Sequence, residues 1–416
     1  MNQVYRVLKI KIPWKLVEER PDVLDLAVRM RLAVEEYAKT LLKEITGQEE
    51  PRLTAEELDR LLTPDRRELA RRIIEEVFPK YGLKRYIAEW AKFFWRDVVF
   101  HRAVPLNAQL RVGNERDMSM AVFVDLKSCI VRVRKLGIPP FAIELKKGNV
   151  AWIRERLEEG AKLKLAFLGV ERRKGKELTY GKLYIALVFA REVASVESKA
   201  IVAVDVNRLD HGVMMGLLVD GKLRQTLKLP DRRTIKELRK LHEEISSLER
   251  RVARETDSAR RMLLEERVNR LKSKRYGKIR SVVIQIVKEI IELARQNNAV
   301  IVVDTMDDET YQGLKEGNWS GEKKHYLDGL GQLRRRLKEL AEWYGLPYLE
   351  ERLYSTICPR CGAKMAEEKN RIMRCTVCGY SDHRDRVPLL WAKKRYWEIL
   401  RKKQPVFPQF RRPSYF

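Results

Sequence analysis

Four of the five cysteines in this 416-residue chain form two Cys-x-x-Cys pairs, Cys358/Cys361 and Cys375/Cys378. Each pair can present two thiolates on one side of a tight turn, and four sulfurs complete the closed tetrahedral shell that structural zinc prefers. Gly362 and Gly379 follow the pairs where the chain must turn sharply. The spacing therefore predicts a zinc ribbon. Two disulfides, or four unrelated thiols, are the alternatives.

Three aspartates stand where a metal-dependent phosphodiesterase would need them. Asp205 ends the apolar run 201–204, Asp304 ends the run 299–303, and Asp385 follows the second cysteine pair at the start of a predicted helix. Carboxylates shared between two Mg²⁺ ions about 4 Å apart would activate water and stabilise the leaving oxygen. A single aspartate after an apolar strand is more often a surface turn. Three in this order, with a ribbon before the third, favour the catalytic interpretation.

The charge balance indicates a polyanionic partner. The chain has 86 Lys and Arg against 59 Asp and Glu, a formal net charge of +27, which favours nucleic acid over neutral or cationic ligands. A membrane surface is the competing partner for basic charge. However, the sequence has no apolar run of about 18 residues, as a membrane-spanning helix would need. Its first 16 residues are also too charged for a signal peptide. We therefore expect a cytoplasmic protein without a membrane partner, as a monomer or homodimer.

Two basic segments are candidates for contact with nucleic acid. Near the end of a predicted helical region, Lys92 and Arg96 flank aromatic residues 93–95, which could stack on bases or pack in a core. A later helical region is rich in cations that could follow a phosphate backbone, although a helix hairpin with a solvated face also explains it. Its candidate residues are Arg267, Lys272, Lys274, Arg275, Lys278 and Arg280.

The N-terminal half alternates between strand and helix patterns. Residues 4–12 alternate apolar and basic side chains as a strand does, residues 20–100 show helical spacing, and short strand patterns return after Pro105. We predict a β-barrel or sandwich that is interrupted by a helical bundle, and a linker at residues 191–200.

The C-terminal half has the element order of ribonuclease H-like folds. A strand ending at Asp205, a second strand, an Asp220-Gly221 hairpin turn and a third strand precede a long helical region, a strand ending at Asp304, another helix and a fifth strand. We predict an α/β domain in which neighbouring strands bring the aspartates together.

Several motifs resemble the TnpB family, the transposon-encoded relatives of CRISPR type V effectors. They are Val204-Asp205-Val206-Asn207, Val302-Val303-Asp304, residues 354–362, Cys375–Tyr380 and His383-Arg384-Asp385. The resemblance implies a split RuvC nuclease domain at 200–353 and 380–403 with a ribbon at 354–379. It also implies a wedge-like barrel at 1–19 and 101–195, a helical recognition lobe at 20–100 and a basic tail at 404–416.

The resemblance implies a guide RNA, a double-stranded DNA target and cleavage by Asp205, Asp304 and Asp385 with Mg²⁺. The family usually has Glu in place of Asp304, and small residues where this chain has 386–390. A nuclease-weakened or nuclease-dead, RNA-guided DNA-binding repressor is therefore an alternative. A guide-free zinc-ribbon accessory to transposition is another.

Overall fold

The computed structural model describes residues 2–49, 57, 60, 61, 67–83, 109–113, 120–173, 179–194, 196–206, 212–305 and 321–402. They belong to two compact units, one of them Gln3–Glu192 and the other mainly Val193–Arg411. Among the described helices, none is both long and apolar enough to cross a membrane. The bounds predicted for the wedge-like domain, the recognition lobe, the nuclease domain and the ribbon remain predictions.

Among the described residues, the N-terminal unit contains two β-sheets. Strands β1 (Asn2–Lys11), β2 (Gln109–Leu110), β6 (Lys162–Arg173) and β7 (Thr179–Val193) form one sheet in the order β1-β7-β6-β2. Strands β3 (Val122–Asp125), β4 (Ile130–Val133) and β5 (Phe141–Glu144) form the other. The first strand was expected at 4–12 and begins slightly earlier, whereas β5 was not predicted. Closure of these sheets into a barrel stays a prediction.

Four helices complete the description of this unit: α1 (Trp14–Glu19), α2 (Pro21–Thr46), α3 (Arg67–Lys80) and α4 (Lys147–Glu158). Helix α2 buries a stripe at spacings of three and four, which includes Leu26, Met30 and Tyr37, and it packs against α3. This agrees with the helical pattern of the sequence. Lys92 and Arg96 lie outside the described residues.

A five-stranded mixed sheet is the centre of the C-terminal unit. It consists of β8 (Ala200–Asp205), β9 (Val213–Val219), β10 (Lys222–Leu229), β11 (Ala299–Asp304) and β12 (Tyr348–Glu351), in the order β10-β9-β8-β11-β12. The first three strands are antiparallel, and β8, β11 and β12 are parallel. Asp220 and Gly221 both have positive φ, 51° and 68°, as a tight hairpin turn requires. The predicted element order is confirmed.

Helices cover both faces of this sheet. Helices α5 (Arg232–Arg254), α6 (Ser258–Gln296) and α7 (Gly321–Tyr344) lie on one side, where alternate residues such as Val204 and Val303 join a core with α6 and α7. On the other side, Ala203 and Val302 pack against α8 (Val387–Lys394) and α9 (Tyr396–Arg401). A single final helix was expected, but the chain breaks at Arg395, where ψ is 15°.

A three-stranded antiparallel ribbon lies between β12 and α8. It contains β13 (Met365–Glu367), β14 (Ile372–Cys375) and β15 (Ser381–His383), with a short 3-10 turn at Lys369–Arg371. Its small core contains Met365, Met373 and Val387. Because Val387 belongs to α8, the ribbon is packed directly on the helix that covers the sheet.

Gly345 tests how closely the connection between α7 and β12 packs against the backbone that precedes β8. It connects α7 to β12 at φ +68°, and a Cβ there would lie 2.5 Å from the carbonyl oxygen of Ala194. We expect Gly345→Ala to lower the free energy of unfolding by about 2 kcal/mol or more, through left-handed strain and a backbone clash. Gly160 also has a positive φ, but a Cβ there would meet nothing within 4 Å. Gly160→Ala should therefore lower the free energy of unfolding only by the cost of the left-handed strain. Equal losses in urea unfolding of the two variants would contradict the packing described here.

Candidate functional site

Asp205 and Asp304 lie side by side at one edge of the sheet. Val204 on β8 pairs with Val303 on the parallel strand β11, so the next residue of each strand is an aspartate. The runs before them are fully buried, and Asp205 itself is only 4% exposed. Two carboxylates therefore stand next to each other where two buried strands leave the core.

Lys228 is on the same row of the sheet. Met214 on β9 pairs with Asp205 on one side and with Lys228 on the other. Residues opposite each other in a sheet project from the same face. Lys228, Asp205 and Asp304 therefore share the face that α8 covers. Lys228 and Asp205 are two inter-strand spacings apart, which is about 10 Å.

Asp385 lies two residues before α8, the helix that covers this face, and its side chain is fully buried. Lys228 Nζ donates to its Oδ2 at 2.6 Å, and Arg371 Nη2 donates to its Oδ1 at 2.5 Å. His383 Nδ1 lies 3.7 Å from Oδ2. Burial acts to raise the pKa of Asp385, but the hydrogen bonds from Lys228 and Arg371 outweigh it and lower the pKa below its ordinary value. Asp385 is therefore a carboxylate held between two cations.

The Asp304 side chain is oriented by the segment that follows its neighbour strand β12. Its Oδ1 accepts a hydrogen bond from the Leu353 backbone N–H at 2.7 Å, and its backbone carbonyl accepts one from the Arg334 guanidinium. These contacts connect the end of β11 to the segment that follows β12 and to α7. The contact with Leu353 directs one carboxylate oxygen of Asp304 toward the backbone.

Glu351 is a further acid on this row, which sequence reasoning did not identify. It pairs with Asp304 in the parallel register of β11 and β12. Its carboxylate is held by Arg395 at 3.1 Å and by Lys402 at 2.5 Å. The signal that could have found it is its position at the end of the fifth predicted strand.

The three aspartates share one face without forming a tight ligand cluster. Within the described part of the chain, the one group of three or more His, Cys, Asp or Glu side chains whose ligand atoms all lie within 4.8 Å of one another is the four cysteines. The structure thus brings Asp205 and Asp304 together, and it connects Asp385 to their row through Lys228.

The four cysteines fit a tetrahedral metal. The Sγ atoms of Cys358 and Cys378 are 3.6 Å apart, and those of Cys361 and Cys375 are 3.4 Å apart. Four sulfurs at a Zn–S distance of about 2.3 Å would be separated by about 3.8 Å. A disulfide needs about 2.05 Å, and all four cysteines are free. The disulfide alternative is therefore wrong.

The backbone of the two cysteine turns is nearly the same. Gly362 and Gly379 have φ of 81° and 70°, and their N–H groups donate to the carbonyls of Cys358 and Cys375 at 2.9 and 3.2 Å. The prediction of two sharp glycine turns is confirmed. Each turn directs its two sulfurs to the same side, as the motif spacing required.

The sulfurs influence one another's protonation. A hydrogen bond from the Cys378 N–H contributes most to lowering the pKa of Cys375 to about 6. The Tyr380 N–H favours the Cys378 thiolate, but desolvation and the other three cysteines outweigh it and raise the pKa of Cys378 to about 12. Four thiolates in this space repel one another, so a bound cation is needed to ionise them all.

The ribbon also positions the groups around Asp385. The Arg384 N–H donates to the Arg371 carbonyl at 2.8 Å, beside the β14–β15 pairing that ends at Ile372 and His383. Trp391 on α8 donates its indole N–H to the Ile357 carbonyl at 2.8 Å. Arg371 therefore reaches Asp385 from an element whose shape depends on the cysteine turns.

Four of the six candidate cations on α6 pair with residues of α5. Interhelical ion pairs or hydrogen bonds join Arg267 to Glu244, Lys272 to Glu249, Lys278 to Glu237 and Arg275 to His242. Arg275 is only 6% exposed, so the interpretation of its guanidinium as a surface contact is corrected to an internal one. Lys274 and Arg280 are exposed, and so is Arg267 despite its ion pair. Charged residues at helical spacing gave no signal that distinguished these two groups.

Comparisons with known proteins agree with the motif resemblance. Residues 331–388 match the family model "Cas12f1-like, TNB domain". A solved Cas12f1 complex with single-guide RNA and target DNA is similar at a TM-score of 0.50 and 10% identity, over 94% of this chain and 99% of that one. The resemblance to the TnpB and type V group is confirmed. No curated protein sequence matches the chain.

Two other solved structures show more distant similarity. A Cas12f ternary complex has a TM-score of 0.31 and 13% identity, over 91% of this chain and 83% of that one. A Cas12j protein bound to crRNA has a TM-score of 0.38 and 9% identity, over 96% and 99% of the two chains.

Substitution of one cysteine tests the metal site. We expect Cys375→Ser to remove nearly all of the zinc that copurifies with the chain, because three sulfurs leave the tetrahedral shell open. Cys129→Ser is the matched control, since Cys129 is not part of the four-sulfur cluster, and it should keep its zinc. Elemental analysis measures both. Equal zinc contents in the two variants would exclude this site.

Proposed function

We propose that this chain is an RNA-guided DNA endonuclease of the TnpB and type V kind, with Asp205, Asp304 and Asp385 as the acids of a RuvC-like site. The single observation that supports it most is the pairing of β8 with β11, which sets Asp205 and Asp304 next to each other at a sheet edge. Packing gives no reason to put two acids there, because an unneutralised carboxylate is costly next to a buried core.

The element order supports a ribonuclease H-like fold for the domain. Three antiparallel strands, a helical region, a parallel strand, a helix and a final parallel strand follow one another, and the first acid lies on the central strand. The likeness to the Cas12f1 complex supports the same overall fold. We propose the RuvC-like domain at 200–353 and 380–403, the ribbon at 354–379 and the tail at 404–416. The first unit would supply the wedge-like domain (1–19 and 101–195) and the recognition lobe (20–100).

The carboxylates fit a hard divalent cation. Mg²⁺ is usually held by one or two carboxylates together with water and substrate phosphate, and Asp205 and Asp304 are two carboxylates at adjacent strand ends. When bound, Mg²⁺ supplies a Lewis acid and makes water a stronger nucleophile. The chain's own residues would orient it: the Leu353 N–H sets the Asp304 side chain, and α8 closes the face behind Asp385.

Guide RNA and double-stranded DNA are the proposed partners, in line with the RNA and DNA that the similar Cas12f1 structure contains. The net charge of +27 suits a large polyanion. Base pairing would carry sequence recognition, while the protein contacts backbone and duplex shape. Of the six candidate cations on α6, the exposed Arg267, Lys274 and Arg280 are proposed for such contacts. Lys92 and Arg96 stay candidates from the sequence.

A second candidate function is RNA-guided DNA binding without efficient cleavage. Two features favour it. Asp304 is one methylene shorter than the glutamate usual in the family, and metal sites tolerate little misplacement of a ligand. Asp385 is also already engaged by Lys228 and Arg371. Such a protein would repress transcription by occupying its target.

Cleavage by the purified complex tests the proposal. The chain is expressed with its own flanking DNA, and the RNA that copurifies is sequenced to define the guide. A duplex matched to that guide is then incubated with the complex and Mg²⁺. We expect cleavage by the unaltered protein and at least a 100-fold slower rate for Asp205→Asn, because the lost carboxylate is a metal ligand.

Asp220→Asn is the matched control, since Asp220 lies in the hairpin turn and asparagine tolerates its positive φ. It should cut at the normal rate. Guide-dependent binding without cleavage, unchanged by Asp205→Asn, would support the repressor instead. A heterogeneous mixture of copurified RNA would support a guide-free DNA-binding accessory.

A further inference from the structure

Arg280 on α6 and Arg336 on α7 lie at the same level of two parallel helices. The helices are parallel because each leads through a short turn into one of the parallel strands β11 and β12. Tyr276 of α6 meets Gln332 of α7, whose side-chain amide donates to the tyrosine hydroxyl at 3.4 Å. The two arginines follow these residues by about one helical turn each. They therefore occupy facing positions one turn further along the same helix pair.

These facing arginines are not matched by acids. Among the residues that the structure describes, neither Arg280 nor Arg336 takes part in an ion pair. Toward α5 the opposite holds, because Arg267, Lys272 and Lys278 each reach a glutamate. Helix α6 therefore carries matched charges on its α5 side and like charges on its α7 side.

The surroundings of Arg336 make this arrangement costly. Its Nε atom is buried and has no hydrogen-bond partner in the described part of the chain. Burial, followed by the charge of Arg280, lowers the pKa of Arg336 below its ordinary value. Glu339 acts in the opposite direction, but Arg335 adds a further positive charge. An anion bound between the helices would offset the repulsion and offer acceptors to these guanidiniums.

The arginine pair lies level with the strand-end acids but on the other side of the sheet. Arg334 precedes Arg336 by about 3 Å along the axis of α7, and its guanidinium donates to the backbone carbonyl of Asp304. Asp304 and Asp205 face α8, whereas the pair belongs to the layer of α6 and α7. A nucleic-acid strand that passes over this end of the sheet could therefore contact both groups.

A phosphodiester in a single strand fits this surface. A guanidinium donates forked hydrogen bonds to a phosphate, and two arginines can share its negative charge. Tyr276, one turn before the pair, is 56% exposed, and an exposed aromatic ring beside cations is a platform on which an unpaired base stacks. Free inorganic phosphate would use the arginines alone, whereas a single strand would use the ring as well.

We propose that Arg280 and Arg336 clamp one backbone phosphate of the DNA strand that reaches Asp205 and Asp304, and that Tyr276 stacks on a neighbouring base. The inference rests on the proposed function and assigns one substrate contact to a specific place on the chain. The three residues position the strand and take no part in breaking the bond. The strand is then held from both faces of the sheet.

Binding of single-stranded DNA tests the clamp without an activity assay. Full-length, zinc-loaded protein freed of RNA is titrated with a fluorescent DNA oligonucleotide over a range of salt concentrations. We expect Arg280→Gln and Arg336→Gln each to weaken binding about tenfold at low salt. The slope of log affinity against log salt should fall in magnitude by about 0.7, the value for one lost phosphate contact on a single strand.

Arg224→Gln is the matched control. Arg224 is also exposed, but it lies near the hairpin end of β10, at the end of the sheet opposite Asp205. It should change neither the affinity nor the slope. Zinc content and the thermal unfolding midpoint verify that each variant is folded. Arg280→Gln should not lower the midpoint, because it removes one of two like charges.

The stacking role of Tyr276 is tested in the same titration. Tyr276→Leu should weaken binding about fivefold or more, because the aliphatic side chain cannot stack on a base. Tyr276→Phe keeps the ring and should bind as the unaltered protein does. Equal affinities of the leucine and phenylalanine variants would overturn the role given to Tyr276.

A second titration decides which nucleic acid uses the clamp. The protein is purified with the RNA that it retains, and binding of the same DNA is measured again. We expect the two arginine variants to keep their RNA and to bind DNA as weakly as in the first titration, relative to the unaltered protein. Loss of RNA from these variants, with DNA binding unchanged, would assign the clamp to RNA and overturn the inference.

Unchanged DNA affinity and slope in both arginine variants, or an equal loss in Arg224→Gln, would also overturn the inference. These results are separate from those of the cleavage assay. A protein that cuts DNA, but whose arginine variants bind it normally, refutes only this inference. A protein whose clamp binds DNA, but which never cuts, refutes only the proposed nuclease function.

Discussion

The parallel pairing of β8 with β11 is the constraint on which the candidate site depends. Residues 200–204 and 299–303 are paired one to one and buried, and a slip of one position would reverse which side chains face each helical layer. The alternation of two cores, one against α6 and α7 and one against α8 and α9, therefore fixes the register. Because the register is fixed, Asp205 and Asp304 must meet at the same level on the α8 face.

The cysteine ribbon positions groups of this site but contributes no acid to it. Its core includes Val387 of α8, and its turn presents Arg371 to Asp385. A metal that holds the four sulfurs would stabilise both connections, since ligand binding to the folded form stabilises that form. The four-cysteine cluster and the acidic row are thus separate sites in one packed unit.

The sequence predicted local features well and long-range side-chain contacts poorly. The cysteine turns and the Asp220-Gly221 hairpin depend on nearby residues, so their spacing was enough to predict them. Buried apolar runs marked β8 and β11 because both faces of those strands are covered. The contacts of Asp385 with Lys228 and Arg371 were missed because Lys228 is 157 residues away in the chain and Arg371 reaches Asp385 only through the fold of the ribbon. Arg275 was misassigned because its burial depends on packing against His242.

Metal-directed backbone cleavage tests the central claim most directly, namely that the strand-end carboxylates converge on a divalent cation. Zinc-loaded protein is given Fe²⁺ and ascorbate, and the fragments produced by locally generated radicals are mapped by mass spectrometry. The account predicts cuts next to residues 205 and 304, with excess Mg²⁺ suppressing them. Cuts that are scattered along the chain, or that avoid both strand ends, would contradict it.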